Sequence, residues 1–205
     1  MAGGPAWLAA LALVVGAPGA AGQRAPPPDS IRPEGVLRAS ATVDSVFVDR
    51  QIVDGYVGAG DWASYLMARL GIFPIPRDVK IEVASDTSRI ALRTRVGDLP
   101  PQARQALGPL LGMFPAETEV GGDISLRRVA REVVQFRLET VRVNGIPLPD
   151  LLVQSVLLDV GRQYPALTKS GRDLFVEIPR DASVRLAVNR VHLVGPPADP
   201  LRPGR

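Results

Sequence analysis

The chain has 205 residues, 24 Lys+Arg against 21 Asp+Glu, one His and no Cys, for a formal net charge of +3. Without cysteine there is no thiol nucleophile, iron–sulfur cluster, cysteine zinc site, disulfide framework or acylated lipoprotein terminus. A single histidine, His192, cannot build a multi-histidine metal site, while 46% hydrophobic residues with near-balanced charge exclude a wholly disordered chain and fit one domain of ordinary size.

Residues 1–22 carry no charged side chain, and Ala6 to Val15 is a run of ten apolar residues followed by small ones. Ten are too few to span a bilayer, which takes about 20. The pattern is that of a signal peptide, with Ala20-Ala21-Gly22 as the cleavage site. The expectation is an exported protein, periplasmic or extracellular, soluble and not lipid-anchored. Residues 23–35 (QRAPPPDSIRPEG) read as a flexible Pro-rich leader, residues 36–194 as the folded domain, and residues 195–205 (GPPADPLRPGR) as a disordered tail.

Within the domain, residues 40–53 read as extended, with Val43, Val46, Val48 and Ile52 as apolar positions. A first helix is capped by Asp61 and carries Trp62, Tyr65, Leu66, Arg69 and Leu70 at helical spacing. Val79, Ile81 and Val83 alternate with charged residues. After the polar turn Ser85-Asp86-Thr87-Ser88, Ile90, Leu92, Thr94 and Val96 alternate with Arg89, Ala91, Arg93 and Arg95. That predicts a hairpin with one apolar and one charged face. A second helix starts at Pro100 or Pro101 and places Ala103, Ala106, Leu107, Leu110 and Leu111 on one side. Gly121-Gly122-Asp123, near Glu117 and Glu119, reads as a solvated turn or bulge.

Val134, Phe136 and Leu138 alternate along a strand, and the phase slips before Val141 and Val143. A one-residue slip would turn the apolar set to the other face, so a bulge is expected near Glu139–Thr140. A third helix runs from Pro149 to Tyr164. It is apolar round much of its circumference (Leu151, Leu152, Val153, Val156, Leu157, Leu158, Val160), which predicts an enclosed helix. Val184, Leu186 and Val188 alternate on a late strand, and Val191 and Leu193 continue after another slip. Ile75-Pro76-Arg77-Asp78 recurs as Ile178-Pro179-Arg180-Asp181, each copy downstream of a helix and ahead of a strand. This matching order fits two similar structural units.

No nucleophile elbow, P-loop or EF-hand loop occurs, and His192 sits on a late strand without a partner motif. No catalytic residue, metal or cofactor is therefore assigned, and the chain is read as not an enzyme. All basic residues but Lys80 and Lys169 are Arg, spread along the chain, and aromatics make up 5%. Nucleic-acid binders cluster their charge and interleave aromatics, so no nucleic-acid partner is expected. Diffuse positive charge still leaves room for transient contact with a membrane surface.

The fold class that follows is α+β: a single domain with a long twisted antiparallel sheet wrapped around one or two apolar helices. Aliphatic rather than aromatic interior positions either leave space for an apolar ligand between helix and sheet or simply pack closely. The groove-facing set is Trp62, Leu66, Leu70, Phe136, Leu138, Leu152, Val156, Leu157, Leu186 and Val188.

The segments VRVNGIPLPDLLVQSVLLDV and LFVEIPRDASVRLAVNRVHLV, preceded by DWASYLMARLGIFPIPRDVKIEV, resemble the LmeA-like group of bacterial exported lipid-binding proteins (the DUF2993 kind). In that pattern a strand ends in a Gly turn with an I-P-x-P element, then a helix, then a proline-led strand. Here these fall on Val141–Val143, Gly145–Pro149, Leu151–Val160 and Ile178–Val188. The resemblance implies a tubular lipid-binding-like fold over residues 36–194, an envelope location and an apolar ligand. The expected function is binding or carrying a lipid or other apolar small molecule. The alternative is an envelope interaction protein with a closed core and no ligand. Neither reading names a protein partner.

Overall fold

A computed structural model describes residues 28–72, 74–77, 80–99 and 114–197. The expected signal peptide, the expected second helix and the tail beyond Pro197 lie outside the described residues. The first half contains β1 (Asp29–Ser30), α1 (Pro33–Val43), β2 (Asp54–Gly58), α2 (Ala59–Arg69), β3 (Glu82–Ser85) and β4 (Arg89–Arg95). The second contains β5 (Glu119–Ala130), β6 (Val133–Val143), β7 (Ile146–Pro147), α3 (Asp150–Gln163), β8 (Asp173–Glu177), β9 (Ser183–Ala187) and β10 (Arg190–Val194). The class is α+β, and one core cluster joins residues from both halves into a single domain.

A seven-stranded antiparallel sheet has the order β1-β3-β4-β5-β6-β7, with β8 also on β6. β6 is long enough to pair β7 at Arg142–Val143 and β8 over Val133–Arg137 on the same side. A three-stranded sheet has the order β2-β10-β9. Ser85 at the end of β3 ties the two together. Its hydroxyl donates to the Ala187 carbonyl (2.7 Å), and its amide donates to Asn189 Oδ1 (3.2 Å). The Asn189 amide returns a bond to the Ser85 carbonyl (2.9 Å).

The predicted β3–β4 hairpin forms around the predicted turn, with Ser85 opposite Ile90. The bulge also sits where the phase slip placed it. Asp123 pairs with Thr140 and Ile124 with Leu138, so Glu139 is the extra residue. That keeps Val134, Phe136 and Val143 all buried despite the slip.

Five expectations are corrected. Residues 40–53 are not extended, because α1 runs to Val43 and continues into a wider turn in which the Asp49 amide reaches the Asp44 carbonyl (2.8 Å). Buried Val36, Ala39, Val46 and Phe47 follow helical spacing from Pro33 at the first position, and that longer pattern outweighs the β-branched residues at its end. The leader does not stay free to Gly35, since Asp29 and Ser30 pair with Val83 and Glu82, and Ile31 is buried. Likewise Gly195 of the expected tail is buried and its amide donates to the Val53 carbonyl (2.8 Å). Gly121-Gly122-Asp123 lies inside β5 and runs into the bulge at Asp123/Ile124, so the bulge alternative holds and the solvated turn does not: Asp123 is buried against Arg142 and Arg89 (3.6 Å).

The fifth correction concerns α3. Its limits match the sequence pattern, but it is not enclosed: Val153 and Leu157 are buried, whereas Leu151 is 82% exposed. Its inner side rests on the segment after it. Gly171 (φ +68°) brings its backbone so close to Leu157 that a Cβ there would lie 1.9 Å from the Leu157 carbonyl oxygen. The helix the sheets enclose is α2, which contacts β1 and β3 of the large sheet and β2 and β10 of the small one.

Candidate functional site

α2 opens at Ala59 after Gly58, with no side-chain cap of its own, so Asp61 is a first-turn residue and not the predicted cap. The cap comes from another strand: Asp29 Oδ2 accepts the Gly60 amide (3.1 Å). An acidic group at this end also complements the helix dipole. Asp61 instead takes two bonds from the Arg38 guanidinium (2.8 and 2.6 Å) on α1, which raises the Arg38 pKa through that hydrogen bond. Ser64, fully buried, donates to the Gly60 carbonyl (2.7 Å) and accepts the Arg32 amide (3.0 Å). α1 crosses here at Gly35, where a Cβ would meet the Ser64 hydroxyl and the Asp61 carboxylate at 2.8 Å. α2 is thus held over its first two turns by β1, α1 and the segment that joins them.

That anchoring fixes Trp62, which is 1% exposed. Its indole lies 5.4 Å from the Tyr65 ring and 6.1 Å from Phe136 on β6. The indole Nε1–H is buried and makes no hydrogen bond among the described residues. A buried donor without an acceptor costs about 1–3 kcal/mol, so it marks a place where an acceptor atom would be favoured. Leu66 and Leu70 follow Trp62 at i+4 and i+8 and pack half-buried against the same core.

Of the predicted groove residues, the structure brings together Trp62, Phe136 and Leu186 in the core cluster, with Leu66 and Leu70 against it. Leu138 and Val156 are half-buried, and Leu157 is buried under α3 outside that cluster. Two are corrected. Leu152 is 47% exposed because α3 turns that side to solvent. Val188 is 51% exposed because the second phase slip is a two-residue hairpin turn, Val188-Asn189, with Asn189 at φ +53°.

Sequence reasoning missed a cleft of about 720 Å³ on the outer face of β3 and β4, assembled from distant segments. Its cations are Arg32, Arg77, Lys80, Arg93 and Arg95, and its carboxylates are Glu34, Glu82, Asp98 and Glu119. The alternation of Arg93 and Arg95 on the charged face of the hairpin was the available signal. Across the small sheet, His192 Nε2 lies 2.8 Å from Asp54 Oδ2 and its ring stacks on Tyr56 at 4.4 Å, with the Arg190 guanidinium 4.9 Å from the Tyr56 centroid. The lone histidine is therefore engaged by an acid and an aromatic ring on a sheet face.

Among the described residues no group of three or more His, Asp or Glu side chains is placed to hold a metal ion, and no helix is long and apolar enough to cross a membrane. No protein-family model, curated protein or solved structure matches this chain.

Proposed function

We propose that this chain is an exported, non-enzymatic binder or carrier of a lipid or other apolar molecule in the bacterial cell envelope. The observation that carries the reading is the Trp62 indole N–H, buried between α2 and the large sheet without an acceptor among the described residues. A ligand with one acceptor oxygen in its head, such as a fatty acid or an ester, satisfies that donor. Its apolar part then lies along Leu66 and Leu70, stabilised by roughly 25 cal/mol per Å² of area removed from water. Export rests on the pattern of residues 1–22.

A second reading, an envelope interaction protein with a closed core, is favoured by a different observation. Leu151 and Leu158 face solvent on α3, opposite Val153 and Leu157. Exposed aliphatic side chains on a helix are common where a partner covers them. One experiment separates the two: extract the purified exported protein with organic solvent and analyse it by mass spectrometry, then measure uptake of a fluorescent fatty acid. A co-purifying lipid and saturable uptake are expected. Finding neither overturns the ligand reading and leaves the interaction protein.

A further inference from the structure

The outer cleft carries an arrangement of charge that a single-sign ligand does not match. Arg93 and Arg95 stand two residues apart on β4. Glu82 is directly opposite Arg93, and Glu119 directly opposite Arg95. Lys80 is already neutralised by Asp98 (3.4 Å). Arg93, Arg95 and Arg77 make no ion pair within 4 Å among the described residues, and neither do Glu82 and Glu119. Opposite charges thus stand side by side in one hollow without closing on each other.

The hollow is also built. Ile31 and Ile81 line it and are joined by an amide-to-carbonyl bond (3.1 Å). The Thr94 hydroxyl donates to the Lys80 carbonyl (2.9 Å), holding β3's approach against β4. Arg32 is fixed twice, its amide on buried Ser64 and its Nε on Ser30 (3.0 Å). A frame set by the backbone fixes where these charged side chains leave the strands, which lowers part of the ordering cost of binding.

We propose that this cleft binds a small zwitterion carrying a phosphate and a primary ammonium group. The phosphate lies against Arg93 and Arg95, where planar guanidinium donors suit its oxygens. The ammonium lies against Glu82 and Glu119. Phosphoethanolamine has this chemistry, free or as a lipid headgroup. The site is separate from the Trp62 cluster and does not depend on the ligand proposed there.

The test titrates the purified protein by calorimetry with O-phosphoethanolamine and with inorganic phosphate. Flotation follows with phosphatidylcholine vesicles, with and without phosphatidylethanolamine. Phosphoethanolamine is expected to bind, and more tightly than phosphate. Arg93→Ala with Arg95→Ala should weaken it about tenfold or more, the worth of one charge-assisted contact. Glu82→Gln should remove the preference over phosphate. Circular dichroism melts check that the variants fold, and Arg162→Ala, on the exposed side of α3, serves as the charge control. Flotation dependent on phosphatidylethanolamine and lost in the double variant identifies a headgroup source, whereas binding of soluble phosphoethanolamine without flotation identifies the free zwitterion. Absence of binding in every arm, equal binding of phosphate in wild type, or binding unchanged in the folded double variant each overturns the proposal. Fatty-acid uptake by the Arg93→Ala, Arg95→Ala double variant, expected unchanged, keeps the Trp62 reading separate from this one.

Discussion

Replacing Trp62 by Phe separates a packing role from a ligand-contacting one. The substitution removes the indole N–H and part of the ring, and keeps an aromatic residue beside Tyr65 and Phe136. The lost volume is about 40 Å³, which costs about 1 kcal/mol as a cavity at 24 cal/mol per Å³. Loss of about 40 Å² of buried apolar area adds about 1 kcal/mol. Against this, the buried donor that has no acceptor among the described residues is deleted, a relief of about 1–3 kcal/mol. The ligand-free variant should therefore unfold within about 1 kcal/mol of wild type, measured by urea denaturation of delipidated protein. Affinity for a fluorescent fatty acid should fall about tenfold, since the one hydrogen bond to the ligand head is gone. Unchanged affinity would refute the assignment of the indole as the ligand's donor. A stability loss of about 3 kcal/mol or more would show that the packing terms, and not the unpaired donor, dominate at this position.

Two further outcomes test the frame. Gly171→Ala places a side chain at φ +68° and 1.9 Å from the Leu157 carbonyl oxygen, so α3 should lose its seat. The expected sign is faster amide hydrogen exchange across Asp150–Gln163 and a stability loss of about 2 kcal/mol or more; a neutral result would mean α3 is seated otherwise. Asp86 accepts bonds from the Ser88 hydroxyl (2.7 Å) and amide (2.7 Å), which lower its pKa from 3.8 to about 2. Folding favours the charged form, so the contribution is present above pH 3.8 and is lost as pH falls toward 2. Because Asp86 is half exposed, the stability effect is small, and the direct measurement is its NMR titration. Ser88→Ala should move that midpoint up toward the ordinary carboxylate value, and an unmoved midpoint would contradict the hydrogen-bond cause.

What could be read from the sequence is what short-range periodicity dictates. The β3–β4 hairpin, the Glu139 bulge and the limits of α3 each follow from a pattern spanning under about 20 residues. A strand's two-residue period and a helix's 3.6-residue period are backbone properties, so they need no distant partner to be legible. Trp62, Leu66 and Leu70 were placed on one helix face for the same reason, and the structure keeps them together.

Burial is a different quantity, because it depends on which segment arrives to cover a face. The apolar circumference of α3 predicted enclosure, yet the sheets enclose α2, which sits between β1, β3, β2 and β10. Residues 40–53 read as extended, and packing of α1 against α2 and β2 decided for a helix that runs into this stretch. The cleft drew on Arg32, Arg77, Arg93 and Glu119, residues up to 87 positions apart (119 minus 32), which meet because β1, β4 and β5 stand in one sheet. The amino-acid sequence by itself determined the periods, the turns and the supply of diffuse arginine. The tertiary structure alone decided which apolar face is dry, which donor is left unpaired, and where opposite charges share a hollow, because those depend on contacts between segments that no local pattern encodes.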